Sequence, residues 1–201
     1  MDKVALGGLI LVSVVALGLL LGGGVDVFSD AGWEDLRSPA NSIRLGGSSP
    51  ATSVAYRGGE VISFAKNVNQ YVYVDSQMPH SWEEGTDIVA HIHWTIPVSG
   101  LNGVNSENVK WDITYSWANM DAAFPVASSS SITVNVKAVS SDVHLLTSWT
   151  PFSGVGKIQS SMLIISIKRD TSVADNYDNA VYLTEFDIHF RQNRIGSPTI
   201  P

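Results

Sequence analysis

Alternation of apolar and polar residues runs through most of the chain from residue 60 to 191, and it constrains the fold more than any other feature. Between residues 107 and 118, for example, Trp111 and Ile113 fall on one side of the alternation and Asp112 on the other. Side chains two residues apart share one face of a β-strand, whereas a helix repeats its faces every 3.6 residues. No part of this region carries a long helical period. The pattern therefore predicts strands that each bury one face.

Eight alternating stretches separated by turn residues are the predicted strands. They cover residues 60–65, 69–75, 87–96, 107–118, 131–139, 143–149, 157–168 and 180–191. Short strands at this spacing, with no helical crossover between them, are typical of antiparallel sandwiches. The sequence therefore predicts an all-β fold, an antiparallel jelly-roll-like β-sandwich of about eight strands, in a domain that covers residues 60–201.

An apolar segment without a charged residue runs from Val4 to Val25. Its length is about that of a helix that crosses a bilayer. We predict an N-terminal apolar helix over residues 1–25, which anchors the protein in a membrane or in the core of an assembly. A cleaved signal peptide is the alternative, although the basic region before the segment is short and no A-x-A cleavage pattern follows it.

The residues between this helix and the first predicted strand carry many turn formers. Residues 26–59 are rich in Gly, Ser, Pro, Asp and Asn and predict an extended arm or linker with little regular structure. Within the arm we expect one short turn, from Trp33 to Leu36, that docks on the domain through Trp33. The serine run from Ser128 to Ser131 is likewise typical of a loop.

Composition narrows the function classes. Charged residues make up 15% of the chain, against about 25% in an average soluble domain, and the formal net charge is -7. Because phosphate binding needs clustered cations and the chain has no Lys/Arg-rich run, we expect no nucleic-acid partner. The chain has no cysteine, which excludes disulfides, thiolate metal sites and cysteine nucleophiles. This profile is typical of exported, viral or cell-surface sandwiches.

Motifs with known catalytic mechanics are missing from the sequence. It has no G-x-S-x-G elbow, no P-loop and no dinucleotide-binding fingerprint. Glu83, Glu84 and Asp87 are candidate carboxylates for glycoside cleavage, but a solvated loop is the simpler interpretation. Asp175 to Asn179 offers oxygens to calcium, yet it lacks the glycine and the terminal glutamate of an EF-hand, so we favour an Asx-rich turn. We predict no enzymatic activity, no catalytic residues and no cofactor.

Two pairs of residues are the candidate metal ligands. His91-x-His93 places two imidazoles on one strand face, and Asp187-x-His189 offers a carboxylate and a third imidazole. If the two strands are neighbours, these four side chains are candidates for binding zinc or another transition metal. The simpler interpretation, which we favour, is that they line a polar sheet face or a subunit interface and form hydrogen bonds with one another. We therefore assign no metal site from the sequence.

Several short motifs follow one another along the domain. They are Pro79-His80-x-Trp82-x-Glu84-Gly85-Thr86, His91-Ile92-His93-Trp94, Val109-x-Trp111, Phe186-Asp187-Ile188-His189-Phe190 and Gly196-Ser197. Their order and spacing resemble a family of small proteins encoded in tailed-phage and marine viral genomes, and the resemblance spans roughly residues 33–197. It implies a virion structural component and carries over no catalytic residue. The apolar N-terminus departs from that family, and a virus with an internal membrane would reconcile the two.

We therefore expect a viral structural protein, a capsid, spike or fibre subunit that assembles with copies of itself into a trimer or a larger array. Its expected location is the virion, membrane-associated or surface-exposed, with the apolar N-terminus attached to a membrane or to the virion core. The expected partners are further copies of the chain, a lipid membrane or other virion proteins. Two alternatives stay open: a pilin-like filament subunit with an N-terminal core helix, and a membrane-anchored carbohydrate-binding module.

Overall fold

A computed structural model of the chain describes residues 32–100 and 107–193. Within these ranges the chain forms eleven strands and a 3-10 helix at Ala40–Ser42. The strands are β1 (Trp33–Pro39), β2 (Arg44–Gly46), β3 (Thr52–Tyr56), β4 (Gly59–Phe64), β5 (Gln70–Gln77), β6 (Val89–Thr95), β7 (Asn108–Ala118), β8 (Ser128–Asn135), β9 (Leu145–Ser148), β10 (Met162–Arg169) and β11 (Val181–Arg191).

These strands form two antiparallel sheets. The first sheet has the order β3-β4-β11-β6-β9, and β1 pairs with the C-terminal part of β11. The second sheet has the order β2-β5-β10-β7-β8. Each sheet contains a set of four strands: β4-β11-β6-β9 in the first and β5-β10-β7-β8 in the second. Along most of the chain, successive strands belong to opposite sets, as in a jelly roll. The predicted all-β antiparallel sandwich is confirmed, and the eight predicted strands correspond to β4–β11.

The segment predicted as an extended arm contributes three further strands. Over residues 33–56, β1 pairs with β11, β2 with β5 and β3 with β4. The prediction of little regular structure was wrong there. These strands have no clear apolar alternation of their own and form because their backbones pair with those of neighbouring strands. A two-residue turn joins β3 to β4, and its residues Arg57 and Gly58 have φ angles of 50° and 86°. That conformation suits a tight hairpin.

The serine run is also part of a strand. Ser128 begins β8, which ends at Asn135, so the predicted loop was wrong and the predicted strand began and ended too late. β8 pairs with β7 from Tyr115↔Ser128 to Asn108↔Asn135. A run of serines has no alternation of apolar and polar residues, so its strand conformation depends on this pairing. The local sequence pattern could not predict it.

Two predictions fall partly or wholly outside the described residues. The apolar helix expected over residues 1–25 lies outside them, as does the Gly196-Ser197 motif. In residues 32–100 and 107–193, no helix is long and apolar enough to span a membrane.

The inner faces of the two sheets bury five of the six tryptophans. None of the five is more than 3% exposed: Trp82, Trp94, Trp111, Trp117 and Trp149. Trp111 from the second sheet packs edge-to-face against Trp94 and Phe64 from the first, with ring centroids 5.6 Å and 5.1 Å apart. Such aromatic pairs add to the stabilisation that comes from burial alone. Trp111 therefore links the inner faces of the two sheets.

A buried arginine holds the loop between β10 and β11. The guanidinium of Arg169, which has no exposed surface, donates two hydrogen bonds of 2.8 Å to the carboxylate of Asp175. It also donates to the backbone carbonyls of Phe64, Tyr177 and Asn179. Asp175, which the sequence left open as a calcium ligand, thus neutralises a buried cation instead.

We expect Arg169→Met to lower the free energy of unfolding by about 3–5 kcal/mol, because the substitution leaves Asp175 buried without a cation. Chemical denaturation followed by tryptophan fluorescence measures this loss. The control is Arg44→Gln, which breaks the exposed Arg44–Asp75 pair and should cost about 0–1 kcal/mol. Equal losses in the two variants would contradict the structural role of Arg169.

Candidate functional site

The outer face of the first sheet collects histidines and carboxylates from three neighbouring strands. The alternation that buries Ile92 in β6 and Ile188 in β11 turns the residues beside them outward. The strand register places His91 opposite Asp187, and β1 adds Asp35 opposite His189. We call the resulting group the histidine cluster; its members are His91, His93, His144, Asp187 and His189. The two candidate pairs from the sequence are therefore neighbours.

Asp187 lies at the centre of the histidine cluster and is only 2% exposed. One carboxylate oxygen, Oδ1, contacts Nε2 of His91, and the other, Oδ2, lies 3.2 Å from Nε2 of His93. The nitrogen and oxygen atoms of these three residues that could bind a metal all lie within 4.8 Å of one another. In the part of the chain that the structure describes, the carboxylate of Asp187 lies close to these two imidazoles and forms no ion pair with a lysine or an arginine.

The remaining two histidines border this centre. Nδ1 of His93 lies 2.7 Å from Nε2 of His144, and the two rings stack. His189 does not join the three central residues, because its Nδ1 lies 2.5 Å from Asp35 and Trp33 stacks on its ring. Trp33 therefore docks through a strand, not through the predicted turn. His144, which directly precedes β9, was not among the candidate residues from the sequence, although Asp142-x-His144 has the same spacing as Asp187-x-His189.

A cleft of about 490 Å³ opens beside the histidine cluster. Its walls include His93, Asp187, Arg37, Glu185 and Asp142. Arg37 binds the carboxylate of Glu185 with both Nε and Nη2, the latter at 2.7 Å. The cleft thus contains the buried carboxylate of Asp187 and, beside it, the ion pair between Arg37 and Glu185.

Two carboxylates of the cleft are held in their ionised form. The hydrogen bond from Arg37 lowers the pKa of Glu185, against the opposing effect of burial. The pKa of Asp142 is lowered by its hydrogen bonds from Tyr56 and Arg57. Both groups therefore carry negative charge at neutral pH, and each has a specific cationic partner.

The three candidate carboxylates for glycoside cleavage each bind a different partner. Glu83 binds Arg191 at 2.7 Å, while Glu84 accepts a hydrogen bond from the backbone N–H of Gln159. Asp87 accepts one from the backbone N–H of Gly154. Each carboxylate thus fastens a different part of the chain.

A second notable surface is the edge of the second sheet. β8 forms one edge of this sheet, pairs with β7 alone among the described strands, and carries eight residues without a charge. The segment before it exposes three large apolar side chains: Met120 (49%), Phe124 (48%) and Val126 (95%).

The other edge strands differ from β8. β2, β3 and β9 have three, five and four residues. β1 is longer, but it carries Glu34, Asp35 and Arg37 and ends at Pro39. β8 is therefore the one long, uncharged edge among the described strands.

No family model matches the chain, and no curated protein matches it. Among solved structures, it is similar to the C-terminal family 22 carbohydrate-binding module of a Clostridium thermocellum xylanase (8% identity, 79% of this chain and 88% of that chain, TM-score 0.41). It is also similar to a carbohydrate-binding module with specific mannan recognition (12%, 80% and 99%, TM-score 0.40). An insecticidal delta-endotoxin from Bacillus thuringiensis matches with 14% identity over 76% of this chain and 23% of that chain, at a TM-score of 0.37. Similarities of this size assign neither a ligand nor an activity to the chain.

We expect Arg37→Gln to raise the pKa of Glu185 toward its ordinary value, because the substitution removes the main cause of the lowering. A carboxyl group with a lowered folded-state pKa stabilises the fold above its unfolded pKa, and this contribution is lost as the pH falls through the folded pKa. Protonation of Glu185 at low pH should therefore reduce the free energy of unfolding less in the variant than in the wild type. A carbon-detected NMR titration measures the pKa; Arg44→Gln is the control, and an unchanged Glu185 pKa in Arg37→Gln would contradict the prediction.

Proposed function

We propose that the chain is a virion structural subunit that assembles with copies of itself through the edge strand β8. The observation that carries this proposal is the length and lack of charge of that edge. Unpaired N–H and C=O groups of an edge strand recruit further strands, so monomeric sandwiches protect their edges with charges, prolines, bulges or short strands. The pairing of β8 with β7 is continuous over eight residue pairs, and β8 has no charge and no proline.

Two copies can meet at this edge without charge repulsion. The chain carries a formal net charge of -7, which opposes association elsewhere on its surface. Ser129, Ser131 and Thr133 are exposed on β8 and uncharged. Pairing of β8 with the β8 of a second copy about a two-fold axis would join the five-stranded sheets of the two copies into one sheet. The exposed side chains of Phe124 and Val126 would then add apolar surface to the contact.

The apolar segment at the N-terminus supplies the second contact of the proposed assembly. Attachment to a membrane or a virion core is assigned to the apolar segment over residues 4–25. A trimer or larger array needs contacts besides the two-fold edge, and the same segment offers small residues for close packing of identical helices. A pilin-like filament would use these two contacts as well, so the shape of the assembly separates the two alternatives.

We expect the double variant Ser131→Lys/Thr133→Lys to lose ordered assembly, because lysines on an edge strand oppose pairing with another copy. Sedimentation velocity and electron microscopy of the full-length chain measure the size and shape of the assemblies. The control is Val155→Lys/Val173→Lys, which adds the same charge at two exposed loop positions. A wild-type chain that stays monomeric at high concentration would contradict the proposal, and so would unchanged assembly of the edge variant.

Carbohydrate binding is a second candidate function, favoured by a different observation. Trp33 is the one exposed tryptophan, at 56%, and it stands on the same sheet face as the cleft. An aromatic surface beside a few converging polar groups is the usual composition of a small-molecule site. Asp35 and Glu185 supply such groups here.

If this second function holds, a glycan array should show sugar binding that Trp33→Ala abolishes, because the substitution removes the exposed aromatic surface. Val173→Ala, at a fully exposed loop position, is the control. Binding that survives in Trp33→Ala, or an array without any bound glycan, would eliminate this candidate.

A further inference from the structure

We propose that His91, His93 and Asp187 bind a divalent transition-metal ion, with Zn²⁺ as the best match. The three residues come from two adjacent antiparallel strands, and the register sets His91 directly opposite Asp187. Their nitrogen and oxygen atoms lie within 4.8 Å of one another. Ligand atoms of a tetrahedral zinc site lie about 3.4 Å apart, because each is about 2.1 Å from the metal. Small side-chain rotations are therefore enough to close the site.

The electrostatics of Asp187 favour a cation at this place. Asp187 is 2% exposed, and an ionised carboxylate at such burial is costly without a positive partner. Arg37 stands opposite Asp187 in the register of β1 and β11, but its guanidinium binds Glu185 instead. Oδ1 of Asp187 contacts Nε2 of His91, and an imidazole is positively charged only when it is protonated. A metal ion would supply the missing charge.

His144 is placed to orient one of the ligands. Nδ1 of His93 lies 2.7 Å from Nε2 of His144. When the Nδ1–H of His93 donates to His144, the lone pair of its Nε2 faces Asp187 and is free to bind a metal. Metal-binding histidines usually donate their other ring N–H to such a second group, which fixes the tautomer and the ring orientation.

The cleft gives a metal ion a way in and leaves room for a further ligand. His93 and Asp187 both line the cleft of about 490 Å³, while His91 lies deeper, at 8% exposure. Three protein ligands beside an open position leave one coordination place for water or for a group of a bound molecule. Two imidazoles and one carboxylate favour Zn²⁺, Co²⁺ or Ni²⁺ over Mg²⁺ and Ca²⁺, which prefer oxygen ligands.

The test is metal titration of the full-length chain after removal of bound metal with a chelator. Isothermal titration calorimetry should show that one Zn²⁺ ion binds per chain. Addition of Co²⁺ in place of Zn²⁺ should produce the visible absorption bands of Co²⁺ in a low-symmetry site. We expect His93→Gln to weaken Zn²⁺ binding by at least about 100-fold, because loss of a ligand exceeds the effect of an outer-shell change. His144→Gln should weaken it by about 10–100-fold. His80→Gln is the matched control, since His80 binds Ser160 outside the cluster.

Asp187→Asn provides a second test, and circular dichroism of each variant shows whether it has folded. His93 is partly exposed, with 24% of its side chain accessible, so its variant should fold even if Asp187→Asn does not. A folded wild-type chain that binds no Zn²⁺ would overturn the proposal, and so would equal affinities in the wild type, His93→Gln and His80→Gln. The proposal does not involve β8, so it stands or falls independently of assembly.

Discussion

The packing of Trp111 against Trp94 and Phe64 is the contact on which the other features depend. It joins the inner faces of the two sheets at ring-centroid distances of 5.6 Å and 5.1 Å. Once Trp94 is buried in β6, the period of two turns His93 outward. A shift of one residue in the strand register would exchange the two faces, bury the imidazoles and expose the indole. The position of the histidine cluster is therefore a consequence of the core.

The protein neutralises two buried carboxylates in different ways. Asp175 faces the guanidinium of Arg169, which is charged at any physiological pH and donates two hydrogen bonds of 2.8 Å. Asp187 faces two imidazoles, which are positively charged only when protonated. The first pair holds the loop between β10 and β11 in place at any physiological pH. The second arrangement contains no permanent cation, so a metal ion bound there would add the positive charge.

The two surfaces that carry the proposals belong to different sheets. The histidine cluster and its cleft lie on the outer face of the first sheet, whereas β8 is one edge of the second. Pairing at an edge extends a sheet in its own plane and does not cover the outer face of the other sheet. An assembled subunit would thus keep its cleft accessible, and a metal or sugar bound there would be displayed on the assembly.

The sequence by itself determined the strands β4–β11 and the outward direction of His91, His93 and Asp187, because alternation is a local property of the chain. It did not predict β1–β3, the serine-rich start of β8 or the approach of His144 to His93. These features depend on pairing between distant segments, and the neighbours His93 and Asp187 are themselves 94 residues apart in the chain. Tertiary structure decided that β6 lies beside β11. That adjacency turned two separate pairs of residues into one cluster, because the side chains on one sheet face meet only when their strands are neighbours.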